Sequence, residues 1–270
     1  MSDKRNKLPH KPMPEDLLRI SPHKNELKIS GDKIFSTRQG EGLTPAEGGS
    51  VGMPAIFLRL HYCNLACGFK RGWKCDTGYT WDKSRSEYWK EPVDWDYLYT
   101  VNEINKAWSE SYPRDSNKRL VLTGGEPLLQ QDKVVELLKL IPDWNIEIET
   151  NGTILPRVEL SLCQFNCSPK LENSGNDLSL RYKPDVLRHI GALKNSWFKF
   201  VVVNNEDLVE IRSIVEECQL PKQKILIMPE GHTVSDVELH KLNVQQAVNK
   251  EGWKIAIRNQ LIWYGTKRRT

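Results

Sequence analysis

Cys63 to Thr77, CNLACGFKRGWKCDT, places three cysteines within thirteen positions, and Asp76 and Thr77 follow the last at once. Thiolates bind zinc or iron–sulfur clusters, and three ligands rather than four leave a metal centre with an open position for a substrate or cofactor. That pattern points to chemistry, not scaffolding. His61, two residues before Cys63, offers a fourth ligand for a structural zinc, although a strand His serves equally as a hydrogen-bonded side chain. Cys163 and Cys167 repeat the CxxxC spacing and compete for a metal. Strand alternation and the use of free Cys as core filling argue against them, and Cys218, late in a helical stretch, reads as core in the same way.

Further candidates stand at the ends of β-prone runs. In Thr123-Gly124-Gly125-Glu126-Pro127 the glycines let backbone amides approach a ligand, and Glu126 adds an acceptor for an amine or hydroxyl. A plain βα turn explains the glycines equally well. Glu149, in Glu149-Thr150-Asn151-Gly152, ends a strand that should be buried, where an unpaired carboxylate is costly; a solvated residue before an Asn-Gly turn is the alternative. Lys170, in Ser168-Pro169-Lys170, is open to the same choice. Lys199 lies between Phe198 and Phe200 in a β-prone run and needs an anionic partner if it faces inward.

The elements that must position these residues alternate. Lys33–Thr37 is β-prone, QGEG forces a turn, Leu43–Met53 reads as a surface loop and Ala55–His61 as a buried strand. Trp81–Trp95 has no clear period and is expected to be irregular, with a short helix over Val101–Ser109. Leu120–Pro127 is a strand and turn, and Asp132–Ile141 has helical apolar spacing. Strands follow at Ile146–Thr150, Leu162–Asn166, Trp197–Val203 and Lys224–Met228, with helices over Glu206–Gln219 and Val234–Val248. Trp253–Trp263 could add an edge strand. Such alternation implies right-handed βαβ crossovers. The expected fold is α/β, a partial, open barrel of about six mostly parallel strands; a closed eight-stranded barrel needs more repeats.

A chain of 270 residues with 39% apolar content can bury one large core. The net charge of +4 is mild and gives no basis for nucleic-acid binding. Six cysteines, no apolar run of membrane length and no secretory signal point to a soluble, cytoplasmic protein with free thiols. The basic, proline-rich start reads as a flexible extension over residues 1–30, ahead of one catalytic domain over 31–270.

Taken in order, QGEG, FLRLHYCNLAC, CDT, TGGEP, IETNG, CSPK and MPEG resemble the 7-carboxy-7-deazaguanine synthase family of the radical S-adenosylmethionine superfamily. The resemblance implies a [4Fe–4S] cluster on Cys63, Cys67 and Cys75, with S-adenosylmethionine on the fourth iron. It implies a lyase that converts 6-carboxy-5,6,7,8-tetrahydropterin to 7-carboxy-7-deazaguanine and ammonia, with the protein supplying orientation and exclusion of water. Residue by residue, it implies pterin contacts from Arg38, Gln39, Gly40, Glu41 and Thr123. Arg59 would pair with the pterin carboxylate, and Thr77 would ligate Mg²⁺. S-adenosylmethionine would be held by Gly125, Glu126, Glu149, Ser168, Pro169, Lys170, Lys199, Met228, Pro229, Glu230 and Gly231. A flavodoxin- or ferredoxin-type electron donor and a homodimer are also implied, with no direct contact to nucleic acid or membrane.

Two features depart from the pattern. The superfamily spacing is CxxxCxxC, whereas seven residues separate Cys67 from Cys75, which makes Cys67 the critical ligand; the chain also ends YGTKRRT without the proline some relatives carry. The rival readings are another radical enzyme on the same scaffold, such as a glycyl-radical activase, and a non-catalytic zinc module. An activase has no use for QGEG or Arg59.

Overall fold

A computed structural model describes residues 26–36, 50, 52–113 and 116–256. Its strands are β1 (Glu26–Ser36), β2 (Ile56–Leu60), β3 (Val93–Asp96), β4 (Arg119–Gly124), β5 (Asn145–Thr150), β6 (Gln164–Cys167), β7 (Ser196–Val202), β8 (Ile225–Pro229) and β9 (Lys254–Ile255). The helices are α1 (Ser86–Lys90), α2 (Tyr97–Ser111), α3 (Gln131–Leu138), α4 (Leu178–Arg181), α5 (Pro184–Ala192), α6 (Asn205–Glu217) and α7 (Val234–Glu251). One sheet runs β3-β1-β2-β4-β5-β6-β7-β8-β9. From β2 to β9 every neighbour pairs in parallel, and β1 pairs antiparallel with both β2 and β3.

The sheet is open and mostly parallel, as expected, but larger than about six strands. The additions lie at its first edge. Trp81–Trp95, expected to be irregular, contains α1 and most of β3; Trp95 sits opposite Leu27 in the β1 ladder and is buried there. The edge strand is stabilised by tertiary pairing rather than by a local period, which is why no pattern announces it. α2 begins four residues before the expected Val101 because Asp96 caps it, accepting from the Tyr99 amide at 2.8 Å. β1 starts at Glu26, so ordered structure reaches into the stretch assigned to the N-terminal extension. β9 supplies the expected edge strand over Lys254–Ile255; the remainder of Trp253–Trp263 beyond residue 256 lies outside the described residues.

Alternation divides the sheet into two faces. Leu58, Leu122, Ile148, Phe165, Phe198 and Ile227 join Ile104, Leu137, Ile211 and Val244 of the helices in one apolar core. At about 1.5–3 kcal/mol per large buried side chain this layer dominates stability. The opposite face carries Arg59, Thr123, Glu147, Glu149, Asn166, Trp197 and Lys199. The turns into α6 and α7 are fixed by capping boxes, Asn204 with Asp207 and Thr233 with Asp236. The polar inner face therefore opens towards the loops at the strand C-terminal ends, where parallel α/β folds build sites.

Candidate active site

The cysteine loop leaves β2 through Tyr62, whose φ of 78° is unusual for a non-glycine residue. Tyr62 is held on both sides: its amide donates to Thr80 O at 3.0 Å, and its carbonyl accepts from the Glu126 amide at 2.7 Å. The glycine turn after β4 passes against this corner. A Cβ on Gly125 would lie 2.1 Å from Tyr62 O, and one on Gly124 2.0 Å from Leu60 O. Close packing against the chain itself therefore requires both glycines, Gly124 against Leu60 at the end of β2 and Gly125 against Tyr62 and Cys63 at the start of the cysteine loop.

Glu126 is fully buried. Its carboxylate accepts from Leu128 N at 3.0 Å, Asn151 N at 2.7 Å and the Thr150 hydroxyl at 2.9 and 3.0 Å. Burial raises its pKa and these donors oppose the rise. The carboxylate expected as a ligand acceptor ties β4 to the turn after β5 through these bonds. That turn reaches the cysteines: the Asn151 side-chain amide donates to Asn64 Oδ1 at 2.9 Å and approaches Cys63 Sγ at 3.9 Å.

The three thiols share one environment. Burial pushes the Cys63 pKa well up, and Cys67, Glu126 and Cys75 push it further. Cys67 is raised to about 11 by burial and by Cys75, against the pull of Lys170 and of a hydrogen bond from Asn176. Cys63 and Cys67 thus lie within electrostatic reach of a neighbouring thiol, and an added positive centre would relieve both. Each sulfur also has a polar partner. Leu65 N donates to Cys63 at 3.5 Å, Asn176 Nδ2 to Cys67 at 3.2 Å, and Cys75 and the Thr77 hydroxyl share a hydrogen bond of 3.4 Å. Thr77 also donates to Gly124 O at 3.5 Å. Among the described residues no three His, Cys, Asp or Glu side chains are gathered as tightly as a single metal ion requires.

The other candidates divide. Thr123, opposite Arg59 in the β2–β4 ladder, donates to the Glu149 carboxylate, so both lie on the inner face beside Arg59. Lys199 faces the same side of β7, opposite Leu226. Lys170 is not a free surface lysine: its ammonium donates to Ser168 O and Oγ, both at 2.9 Å, and lies 5.8 Å from the Trp73 ring centre. Ser168 donates its amide to Thr150 O, which draws the Ser168-Pro169-Lys170 turn beside Asn151. Met228 and Pro229 end β8; the Glu230 amide donates to Val202 O at 2.8 Å, and a Cβ on Gly231 would lie 2.7 Å from Val237 N. Arg38, Gln39, Gly40 and Glu41 lie outside the described residues.

His61, Cys163, Cys167 and Cys218 take the non-ligating reading. His61 packs against Tyr62 and Tyr88, and the three cysteines belong to the helix-side core. Two groups carry no readable signal in the sequence. One is the turn Glu172–Gly175 with Asn176, which holds the long cysteine loop. The other is a buried network on the inner face, in which Glu147 accepts from Ser50, Arg119, Gln164 and Asn166.

An open, mostly parallel α/β sheet with a three-cysteine loop and a glycine turn at its strand C-terminal ends defines a protein of the open-sheet α/β class with its candidate site at that edge. No family model matches the chain. It is 31% identical over 243 residues to the 7-carboxy-7-deazaguanine synthase of Clostridium acetobutylicum, covering 87% of this chain and 96% of that one. The synthase of Rickettsia prowazekii is 31% identical over 82% of this chain and 80% of its own, and that of Pyrobaculum aerophilum 29% over 87% and 95%. The crystal structure of QueE from Escherichia coli superposes with a TM-score of 0.59 at 22% identity, covering 90% of this chain and 98% of that one. The chain belongs to the 7-carboxy-7-deazaguanine synthase family.

Proposed function

We propose that this chain is a carbon–nitrogen lyase that converts 6-carboxy-5,6,7,8-tetrahydropterin to 7-carboxy-7-deazaguanine and ammonia, in queuosine-type 7-deazapurine biosynthesis. Besides family membership, the observation that carries the reading is the loop of Cys63, Cys67 and Cys75 that leaves the end of β2 and packs against the Gly124-Gly125 turn through Cys63 and Thr77. Cys63 and Cys67 each accept from an N–H and Cys75 lies against the Thr77 hydroxyl, which suits thiolates that share an anionic [4Fe–4S] cluster. Cys63, Cys67 and Cys75 would hold that cluster and Thr77 a Mg²⁺ ion. When bound, the cluster and S-adenosylmethionine supply the electron and the carbon-centred radical that the ring contraction needs.

The chain's own residues bind, orient and exclude water. Arg59 at the end of β2 offers a planar, bidentate partner for the pterin carboxylate. Thr123 and Glu149, held to each other, present a fixed acceptor edge to the substrate or to the cofactor's amino group. Gly125, Ser168, Pro169, Lys170 and the turn from Met228 to Gly231 would frame S-adenosylmethionine, with Lys199 opposite on the inner face. Glu126 would offer an acceptor to S-adenosylmethionine while it holds the β5 turn. Arg38, Gln39, Gly40 and Glu41 would complete the pterin contacts, a flavodoxin- or ferredoxin-type protein would deliver the electron, and two copies would pair as a homodimer. Among the described residues no helix is long and apolar enough to cross a membrane. The deciding experiment is anaerobic turnover of 6-carboxytetrahydropterin with dithionite, Mg²⁺ and S-adenosylmethionine. A product of the mass of 7-carboxy-7-deazaguanine is expected; a brown, cluster-loaded protein that leaves the pterin intact would overturn the substrate assignment.

A further inference from the structure

The seven residues between Cys67 and Cys75 fold onto a turn far along the chain. Gly68 N donates to Ser174 O at 3.0 Å, Trp73 N to Asn173 O at 3.2 Å, and Trp73 Nε1 to Asn173 Oδ1 at 3.0 Å. The backbones touch from both sides: a Cβ on Gly72 would lie 2.0 Å from Asn173 O, and one on Gly175 2.1 Å from Arg71 O. Gly72, at φ +86°, and Gly175, at φ +76°, both adopt conformations that favour glycine.

Asn176 stands at the centre of this contact, 8% exposed. The Ala66 amide donates to its Oδ1 at 2.9 Å. A backbone N–H can only donate, which fixes the orientation of the side-chain amide and leaves Nδ2 facing Cys67 Sγ at 3.2 Å. Ser174 Oγ, itself donating to Leu171 O, accepts the other Nδ2 hydrogen at 3.1 Å. Both Nδ2 hydrogens are thus directed, one at Cys67 and one at Ser174.

Resting on the reading of Cys67 as a cluster ligand, we propose that Asn176 is a positioning residue for the [4Fe–4S] cluster. Its Oδ1 fixes the backbone before Cys67 so that a loop of unusual length delivers that sulfur, and its N–H bond to the thiolate raises the reduction potential of the cluster. A donor on a ligating sulfur withdraws electron density and favours the reduced state, whereas its loss favours the oxidised one.

The test uses the reconstituted full chain with Asn176→Ala, Asn176→Asp and Asn173→Ala. Asn176→Asp keeps the acceptor for Ala66 and removes the donor to sulfur; Asn173→Ala removes the Trp73 bond and leaves the sulfur bond in place. In redox titrations monitored by electron paramagnetic resonance, both Asn176 variants should shift the midpoint to more negative potential, with Asn173→Ala at the parent value. Should Asn176→Ala take up less iron, the same loss in Asn173→Ala would overturn the proposal as mere loop packing, and full iron in Asn173→Ala would support it. A parental midpoint in either Asn176 variant overturns it. A parent chain that binds no iron would remove the cluster reading itself and this inference with it, a result distinct from a loaded parent whose variants do not shift.

Discussion

Truncation of Glu126 separates a residue that binds a ligand from one that holds the site together. Three donors converge on its buried carboxylate: Leu128 N–H, Asn151 N–H and the Thr150 hydroxyl. In Glu126→Ala all three lose their acceptor out of reach of water, at about 1–3 kcal/mol each. The expected loss of about 3–9 kcal/mol is a large part of the stability of an ordinary domain. Glu126→Gln keeps one acceptor oxygen and sets its NH₂ group against either Leu128 N–H or Asn151 N–H, so about 2 kcal/mol should go. Urea unfolding of the two variants beside the parent measures both steps, and the order parent, Gln, Ala is expected. If the carboxylate served mainly to bind the cofactor's amino group, both variants would unfold like the parent and lose only cofactor affinity. A Glu126→Ala midpoint matching the parent's would refute the structural role.

The other expectations are more compact. Burial, aided by Lys28, lowers the His61 pKa from 6.5 to about 4. A group whose folded pKa is depressed resists protonation only in the folded state, so its stabilisation is complete above about 6.5 and is lost as the pH falls towards 4. That amounts to about 3 kcal/mol, and unfolding of His61→Phe should vary less with pH across that window than the parent's. Gly125→Ala puts a methyl group 2.1 Å from Tyr62 O, so the β4 turn and the cysteine loop must separate; iron content should fall even if the circular dichroism is unchanged. Cys67→Ala should likewise lower iron per chain, and a full cluster in that variant would mean that another residue serves as ligand. Arg59→Ala should raise the KM for the pterin at least tenfold or abolish turnover, with unchanged kinetics refuting its pairing with the substrate carboxylate.

The parallel half of the fold is legible because each strand is a short apolar run closed by a turn signal. Ile146–Thr150 and Trp197–Val203 are within a residue of β5 and β7. The antiparallel edge is not legible, because Trp95 is buried by a ladder with β1, a partner some seventy residues away along the chain. The inner face lies between these cases. Phe198 and Phe200 on the core side fix the parity of β7 and hence the inward side of Lys199, yet only the assembled sheet shows which face is the core.

The cysteine loop sharpens the same contrast. The residue types of a metal centre are readable from Cys63, Cys67 and Cys75, because thiolate chemistry belongs to each side chain by itself. Whether a gap of seven residues still delivers Cys67 depends on Asn173, Ser174 and Asn176, about a hundred residues later, and no local spacing encodes that distance. The inserted residues that make the spacing look irregular are the ones that bind the turn: Gly68 and Trp73 donate to it, and Gly72 lies against it. The long gap is then an added contact surface, and Cys67 is constrained from outside its own loop. A shortened loop that restored the superfamily spacing would lose those contacts, so it should hold its sulfur less firmly than the longer one.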